Sequence, residues 1–191
     1  RRIVTLDHPQ STQFVSALLL IGANVQTNST SPYITLTREM IKNKEQGKMN
    51  KDKLVTIERD WSSAAFWYEY VAIHGGEITL PGLFRDSLQG DKIVADIFSY
   101  LGVSTQYTKE GIVIYSSPLH PTPYTIHQDF ASCPDLYPAV ALTCERLGIE
   151  LHATGTESLP IKESDRLRAV REHRTDHDHR MAMALLIAGY E

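Results

Sequence analysis

Cysteine is scarce in this sequence: Cys133 and Cys144 are the two thiols in 191 residues, and no CxxC spacing joins them. A disulfide framework is therefore excluded as the organising device of the fold. Two structural thiols in a reducing compartment are expected, with a single disulfide as the open alternative. A surplus of positive charge is lacking as well. The formal net charge is -4, which gives no basic footprint for nucleic acid, so any bound anion must be held by a local cluster. Long apolar runs are also missing: the longest, Met181 to Gly189, is too short to span a bilayer. No signal or transit peptide is visible. The chain opens on Arg1-Arg2 and stops at Glu191 directly after a helix-like run, from which an incomplete chain is expected.

What is present is an ordinary globular composition, 42% hydrophobic and 22% charged, in a chain long enough for one large domain or two small ones. The middle is the most legible part. "KLVTIERD" alternates like a strand, and "WSSAAFWYEYVAIHGG" reads as a helix closed by glycines. "EITLPGL" reads as a strand, "SLQGDKIVADIFSYLG" as a helix, and "VSTQYTKEGIVIYSS" as two strands around a Lys109-Glu110-Gly111 turn. Residues 53 to 117 thus spell βαβαββ. "YTIHQDF", "PDLYPAVALTCERLG", "IELHATGT" and "KESDRLRAVREH" restart the pattern as βαβα without the closing ββ. "RIVTLD", "STQFVSALLLIG", "ANVQTN" and "SPYITLTREMIKN" give a third βαβα, also unclosed. A repeat of this kind implies a modular α/β fold. The lysine-rich "NKEQGKMNKDK" and the abrupt "REHRTDHDHRM" sit where the missing pairs should be.

Five polar groups directly precede apolar helices: Ser11-Thr12-Gln13, Asp60 to Ser63, Asp135, Lys162 to Arg166, and Asp178-His179-Arg180. Helix amino ends carry unpaired N–H groups and a positive dipole, which suits anions. Plain N-capping explains Asp60 with Ser62 and Ser63. It does not explain Lys or Arg at such an end, where a cation is electrostatically unfavourable. With a helix starting at Lys162, Lys162, Glu163 and Arg166 would share an arc of about 100° with Val170, the face that points inward. Arg offers a planar fork for phosphate or carboxylate and Lys a point charge. Glu163 and Asp135 are then two carboxylates among cations, suited to proton transfer on an anionic substrate.

A rival constellation is the run His173, Asp176, His177, Asp178 and His179, where His173 and His177 have the i, i+4 spacing of helical metal ligands. It would suggest a metal-dependent phosphohydrolase, but the run has no apolar periodicity to hold a rigid ligand set. A solvated junction is the default. The aromatic set Phe66, Trp67, Tyr68 and Tyr70 is expected in the core rather than as a base-stacking platform, and Gly90-Asp91 as a turn or helix start.

"STQFVSALLL", "SPYITLT", "ERDWSSAAFWY", "GLFRDSLQGD", "PDLYPAVALTC", "IKESDR" and "DHRMAMA" occur in the order found in 5-enolpyruvylshikimate-3-phosphate synthases. "KESDR" and "DHRMAMA" after "STQF" are the specific part of this resemblance, which covers nearly the whole chain and about the second half of a full-length member. The wording of "DWSSAAFWY" and "GLFRDSLQGD" resembles bacterial members of the Bacteroidetes type. The resemblance implies a two-domain inside-out α/β barrel built from βαβαββ units. Residues 1–57 would belong to the amino-terminal domain that binds shikimate 3-phosphate, and 58–191 to a carboxy-terminal domain. It implies enolpyruvyl transfer from phosphoenolpyruvate to the 5-hydroxyl of shikimate 3-phosphate by addition and elimination, with no metal or organic cofactor. A monomer in the bacterial cytoplasm, without nucleic-acid or membrane partners, is expected.

Carried over by motif, Asp135 matches the proton acceptor for the 5-hydroxyl, and Glu163 the acid that protonates the methylene carbon. Lys162 matches a shikimate 3-phosphate contact and shares in the catalytic set. Ser11, Thr12 and Gln13 align with the phosphate cradle, Gln13 reaching both substrates, and Thr30 and Tyr33 align with further shikimate 3-phosphate contacts. Arg166 and Arg180 match phosphoenolpyruvate ligands, with His179 beside them. Thr12 and Thr30 replace serines but keep the hydroxyl, and "DHPQ" stands where a glycine-containing approach is usual. The family's amino-terminal lysine and arginine ligands, and its lysine-bearing last segment, have no counterpart, so these residues alone are expected to be weakly active or inactive. "KESDR" and "STQF" argue against the related transferase that acts on a UDP-sugar. A degenerate, non-catalytic anion- or partner-binding protein is the alternative from another class.

Overall fold

β-branched and aromatic residues make up most of Val103–Tyr107 and Gly111–Ser116 and favour two strands, and the turn between them folds one back on the other. The structure is a computed structural model. It describes residues 58–117 and 125–190, and the backbone of the strands Val4–Asp7, Gln26–Thr27 and Tyr33–Leu36. Chain contacts divide it into two compact units, Arg1–Arg59 with Asp86–Gln89, and Asp60–Arg85 with Gly90–Glu191.

In the first unit, β1 (Val4–Asp7), β2 (Gln26–Thr27) and β3 (Tyr33–Leu36) form an antiparallel sheet in the order β1-β3-β2, with Asp7 opposite Tyr33 and Gln26 opposite Thr35. The stretch from Tyr33 was expected to be helical; the structure corrects this to a strand. Tyr-Ile-Thr-Leu has the β-branched and aromatic content of a strand. The helix expected at "STQFVSALLLIG" and the strand expected at "KLVTI" lie outside the described residues.

In the second unit, α1 (Trp61–His74) starts where Asp60 accepts from the Ser62 amide at 3.0 Å and from the Ser63 hydroxyl at 2.6 Å. The chain continues through β4 (Glu77–Pro81), a 3-10 turn at Gly90–Ile93, α2 (Val94–Ser99), β5 (Val103–Tyr107) and β6 (Gly111–Ser116). The sheet order is β4-β6-β5, all antiparallel. Then come β7 (Thr125–Asp129), α3 (Tyr137–Leu147) and β8 (Glu150–Thr154), with β7 and β8 parallel, so α3 is the crossover of a βαβ unit. α4 (Arg166–Glu172) and α5 (His179–Ala188) follow with no strand between them. The αβαββ order of the middle repeat and the unclosed βαβα after it are the expected ones.

One apolar cluster runs through this unit, from Trp61, Tyr68, Phe98 and Ile112 to Phe130, Leu136, Leu142 and Met181. Each such fully buried side chain contributes about 1.5–3 kcal/mol, so the cluster, rather than the surface ion pairs, seats α1, α3 and α5. Tyr68 meets Phe98 at 5.5 Å and bonds Thr105 through its hydroxyl at 2.8 Å. The aromatic set divides: Phe66 and Tyr68 are buried as expected, whereas Trp67 and Tyr70 are about half exposed on the outer side of α1. Cys133 and Cys144 are both free and buried. No helix among the described residues is long and apolar enough to cross a membrane.

Candidate active site

The charged cluster starts with three local structures. Asp135 sits in a 3-10 turn, Pro134–Leu136, that feeds α3. Lys162 is extended after a second such turn, Leu159–Ile161, and Asp178 caps α5 by accepting from the Arg180 amide at 2.9 Å. The helix expected to run from Lys162 begins at Arg166 instead. Asp165 caps it, accepting from the Arg168 amide at 3.1 Å, and an extended cap residue ends the possibility of a helix further back. The shared inward arc of Lys162, Glu163 and Arg166 is corrected with it.

What unites these residues is Arg166. As the first residue of α4 its side chain leans back past the helix end, and it is 1% exposed. Nε donates to Asp178 Oδ2 at 2.8 Å, Nη1 to Asp135 Oδ1 at 2.7 Å, and Nη2 to Glu163 Oε2 at 2.7 Å. Lys162 Nζ reaches the same Asp135 oxygen at 3.3 Å, and Arg180 Nη2 reaches Asp135 Oδ2 at 3.2 Å. Ser164 donates its hydroxyl to Asp178 at 3.1 Å. Three cations thus face three carboxylates, and the cluster is charge-balanced as it stands.

Burial would raise the pKa of Asp135, but Arg180, Lys162 and Arg166 together hold it below its ordinary 3.8. Burial likewise opposes ionisation of Asp178, and Arg166 outweighs it, leaving that carboxyl low too. Desolvation works against the Arg166 charge, yet Asp178 and Asp135 keep it above its ordinary value. The exposures differ usefully: the side chains of Lys162 and Arg180 are 17% and 14% accessible, and that of Glu163 is 53%.

A further carboxyl lies behind these. Asp91 is fully buried, takes the Ser62 hydroxyl on Oδ2, and has no hydrogen-bond partner on Oδ1 among the described residues. Burial lifts it to about 6, against the Ser62 bond, and Asp135 and Arg180 both act on it electrostatically. Gly90 permits this placement, because a Cβ there would lie 2.8 Å from the Ser132 carbonyl oxygen. Gly90→Ala is therefore expected to cost about 1–3 kcal/mol, read as a lowered urea midpoint at unchanged slope. An unshifted midpoint would show that the approach is not tight.

Of the residues singled out by sequence, Asp135, Lys162, Glu163, Arg166 and Arg180 come together. His179 is exposed at the first position of α5. Ser11, Thr12, Gln13 and Thr30 lie outside the described residues, and Tyr33 is described only as β3 backbone. The sequence placed Asp178 at a helix entrance and in the rival metal run, and Ser62 at a helix cap, but gave neither of them, nor Asp91 or Ser164, a part in the anion site. The signals for them were weak: a Gly-Asp pair, and an acidic residue before an apolar run. The metal geometry is corrected. α4 ends at Glu172, and His173 and His177 take left-handed conformations, so they are not one helical turn apart on a common face. Among the described residues no group of three His, Cys, Asp or Glu could hold a metal ion.

A parallel βαβ crossover, an αβαββ unit and charged side chains converging where the helices begin define an α/β protein with a carboxylate–cation centre. The family model for EPSP synthase (3-phosphoshikimate 1-carboxyvinyltransferase) matches residues 2–173, and the chain belongs to that family. It is 35% identical over 191 residues to the 3-phosphoshikimate 1-carboxyvinyltransferase of Bacteroides fragilis, with 88% of this chain and 46% of that relative aligned. The protein of the same name from Colwellia psychrerythraea is 30% identical, with 87% and 44% aligned. That from Methanopyrus kandleri is also 30% identical, with 94% and 52% aligned. The chain spans about half the length of the curated relatives it matches.

Proposed function

We propose that the Asp135 cluster belongs to the active site of an enolpyruvyl transferase that acts on shikimate 3-phosphate and phosphoenolpyruvate. One observation carries this reading: a buried carboxylate bracketed by Lys162, Arg166 and Arg180, with a second, exposed carboxylate on the same guanidinium. Lys162 and Arg180 each hold Asp135 through one contact and are partly accessible, so they are the cations a substrate anion meets first. Drawing them onto phosphate or carboxylate removes what keeps Asp135 weakly basic, and its proton affinity rises as the substrate arrives. Arg166 spends one donor on each of its three nitrogens and keeps two N–H groups for phosphoenolpyruvate.

In this chemistry Glu163 gives a proton to the methylene carbon while Asp135 takes the proton of the 5-hydroxyl, whose oxygen bonds to the adjacent carbon. The tetrahedral intermediate then returns a methyl proton to the Glu163 carboxylate and loses phosphate, which carries off the proton held by Asp135, restoring the double bond. The cations stabilise the charge that develops. The reading requires no metal or organic cofactor, because side chains meet every charge shift. It extends to a two-domain inside-out barrel, with residues 1–57 in the domain that binds shikimate 3-phosphate and 58–191 in the other. Ser11, Thr12, Gln13, Thr30 and Tyr33 then supply shikimate 3-phosphate contacts, and His179 stands beside phosphoenolpyruvate. The βαβ and αβαββ units support it, and a monomer in the bacterial cytoplasm goes with it.

The test is phosphate release from phosphoenolpyruvate by the full-length protein, in the presence and absence of shikimate 3-phosphate. Release is expected only when both are present, and Glu163→Gln should lower kcat by about a hundredfold or more while changing ligand affinities little. Binding of both ligands without release would assign a non-catalytic role to the same site.

A further inference from the structure

The far ends of the three helices that carry the cluster are joined by a second set of contacts. Glu145 lies in the last turn of α3, His173 caps α4, and Tyr190 follows the cap of α5. His173 Nε2 is 2.9 and 3.1 Å from the two Glu145 oxygens, and the Tyr190 hydroxyl donates to Glu145 Oε1 at 2.7 Å. The His173 and Tyr190 rings stack at 3.8 Å with 18° between their planes, and the Arg146 guanidinium stands 6.0 Å from the Tyr190 ring centre. One carboxylate and one stacked pair therefore tie three helices.

The way α4 ends sharpens the point. α1, α3 and α5 all close on glycine, at Gly75, Gly148 and Gly189. α4 closes on His173 at φ 51 and ψ 48, a left-handed conformation that a side chain makes unfavourable. Something has to offset that cost, and the contacts of the ring are what the position gains. α4 also needs fixing. It has 7 residues and buries only Arg166, Ala169 and Val170, so packing alone grips it weakly. Its two ends are held by side chains instead, Arg166 at one and His173 at the other.

We propose that His173 is a positioning residue: by tying α4 to Glu145 and Tyr190 it sets the seating of α3, α4 and α5, and with it the alignment of Asp135, Arg166 and Arg180 at their opposite ends. The functional consequence rests on the reading of that cluster as an anion site. A short rod fixed at two ends neither pivots nor slides; released at one, it swings the other.

The experiment uses His173→Gly, which keeps the left-handed backbone and removes only the ring, and His173→Asn, which tolerates that backbone and keeps an N–H donor. Amide exchange at Ala169, whose N–H bonds the Asp165 carbonyl at 2.8 Å, is expected to speed up about tenfold in the glycine variant, with α1 unchanged. Inorganic phosphate, titrated by calorimetry, should bind about three- to tenfold more weakly, with His173→Asn recovering part of the loss. A lowered Tm with unchanged exchange at Ala169 and unchanged phosphate affinity would make His173 merely structural and overturn the proposal. A wild-type chain that binds no phosphate overturns the anion-site reading instead, and the exchange at Ala169 still decides whether His173 holds α4.

Discussion

Replacing Arg166 by alanine is expected to destabilise the protein by about 3–5 kcal/mol, read from urea unfolding at pH 7. The guanidinium is 1% exposed and makes three charge-assisted bonds of 2.7–2.8 Å. Without it Asp178, which is fully buried, is left with the Ser164 hydroxyl and a cap amide, and Asp135 with two looser cations. An unpaired buried charge is costlier than a paired one is stabilising, so the loss far exceeds that of a surface pair. Arg166→Lys should recover little, because one ammonium cannot serve three carboxylates arranged around a planar fork.

Acid provides the internal control. Asp135 and Asp178 have folded pKa values below their ordinary 3.8. Their contribution is present above pH ~4 and is lost as pH falls through the lower folded values, where the unfolded chain binds more protons than the folded one. The gap between wild type and Arg166→Ala should therefore narrow below pH ~4. An equal gap at pH 3 and pH 7 would mean that charge pairing is not what Arg166 contributes.

Glu69→Leu is expected to act in the opposite direction and raise stability by about 2–4 kcal/mol at pH 7. Glu69 is fully buried in α1, and neither carboxyl oxygen has a hydrogen-bond partner among the described residues. Burial pushes it from 4.5 up to about 10. Between those values the folded state keeps a proton that the unfolded chain releases. Stability falls as pH rises through that window, by about 1.4 kcal/mol per unit. Leucine has no proton to keep and fills nearly the same volume, so the variant's pH profile should be flatter and should approach that of the wild type near pH 4. Urea midpoints at pH 4, 7 and 8.5 test this. A wild type equally stable at all three would show that Glu69 does not hold its proton.

Much of the second unit can be read locally. Asp60 before an apolar run and glycines after it are the start and stop of α1, and the turn at Lys109-Glu110-Gly111 joins two stretches rich in β-branched and aromatic residues. Asp165, inside the first turn of a helix drawn from Lys162, is instead the cap that starts α4. That same cap defeated the geometric reason for grouping Lys162, Glu163 and Arg166: three of the five residues of "KESDR" precede the cap, so helical periodicity does not apply to them. The grouping itself survives because the Arg166 fork holds Glu163 and Asp135, and Lys162 joins them through Asp135. The strand at Tyr33 was missed because a short apolar stretch carries no period long enough to separate helix from strand.

By itself the sequence determined the elements of the second unit, its unclosed repeat and the family. All of these depend on periodicity, capping and motif order over a few neighbouring residues. Only the tertiary structure decided which carboxylate meets which cation. Asp135 and Arg166 are 31 positions apart and Arg166 and Asp178 are 12 apart, so no local rule pairs them. Packing against the core also decided that Asp91 and Glu69 lose their water while Glu163 keeps much of its own. Desolvation belongs to the assembled fold, and it sets the proton affinity of each carboxyl and so its fitness for a role.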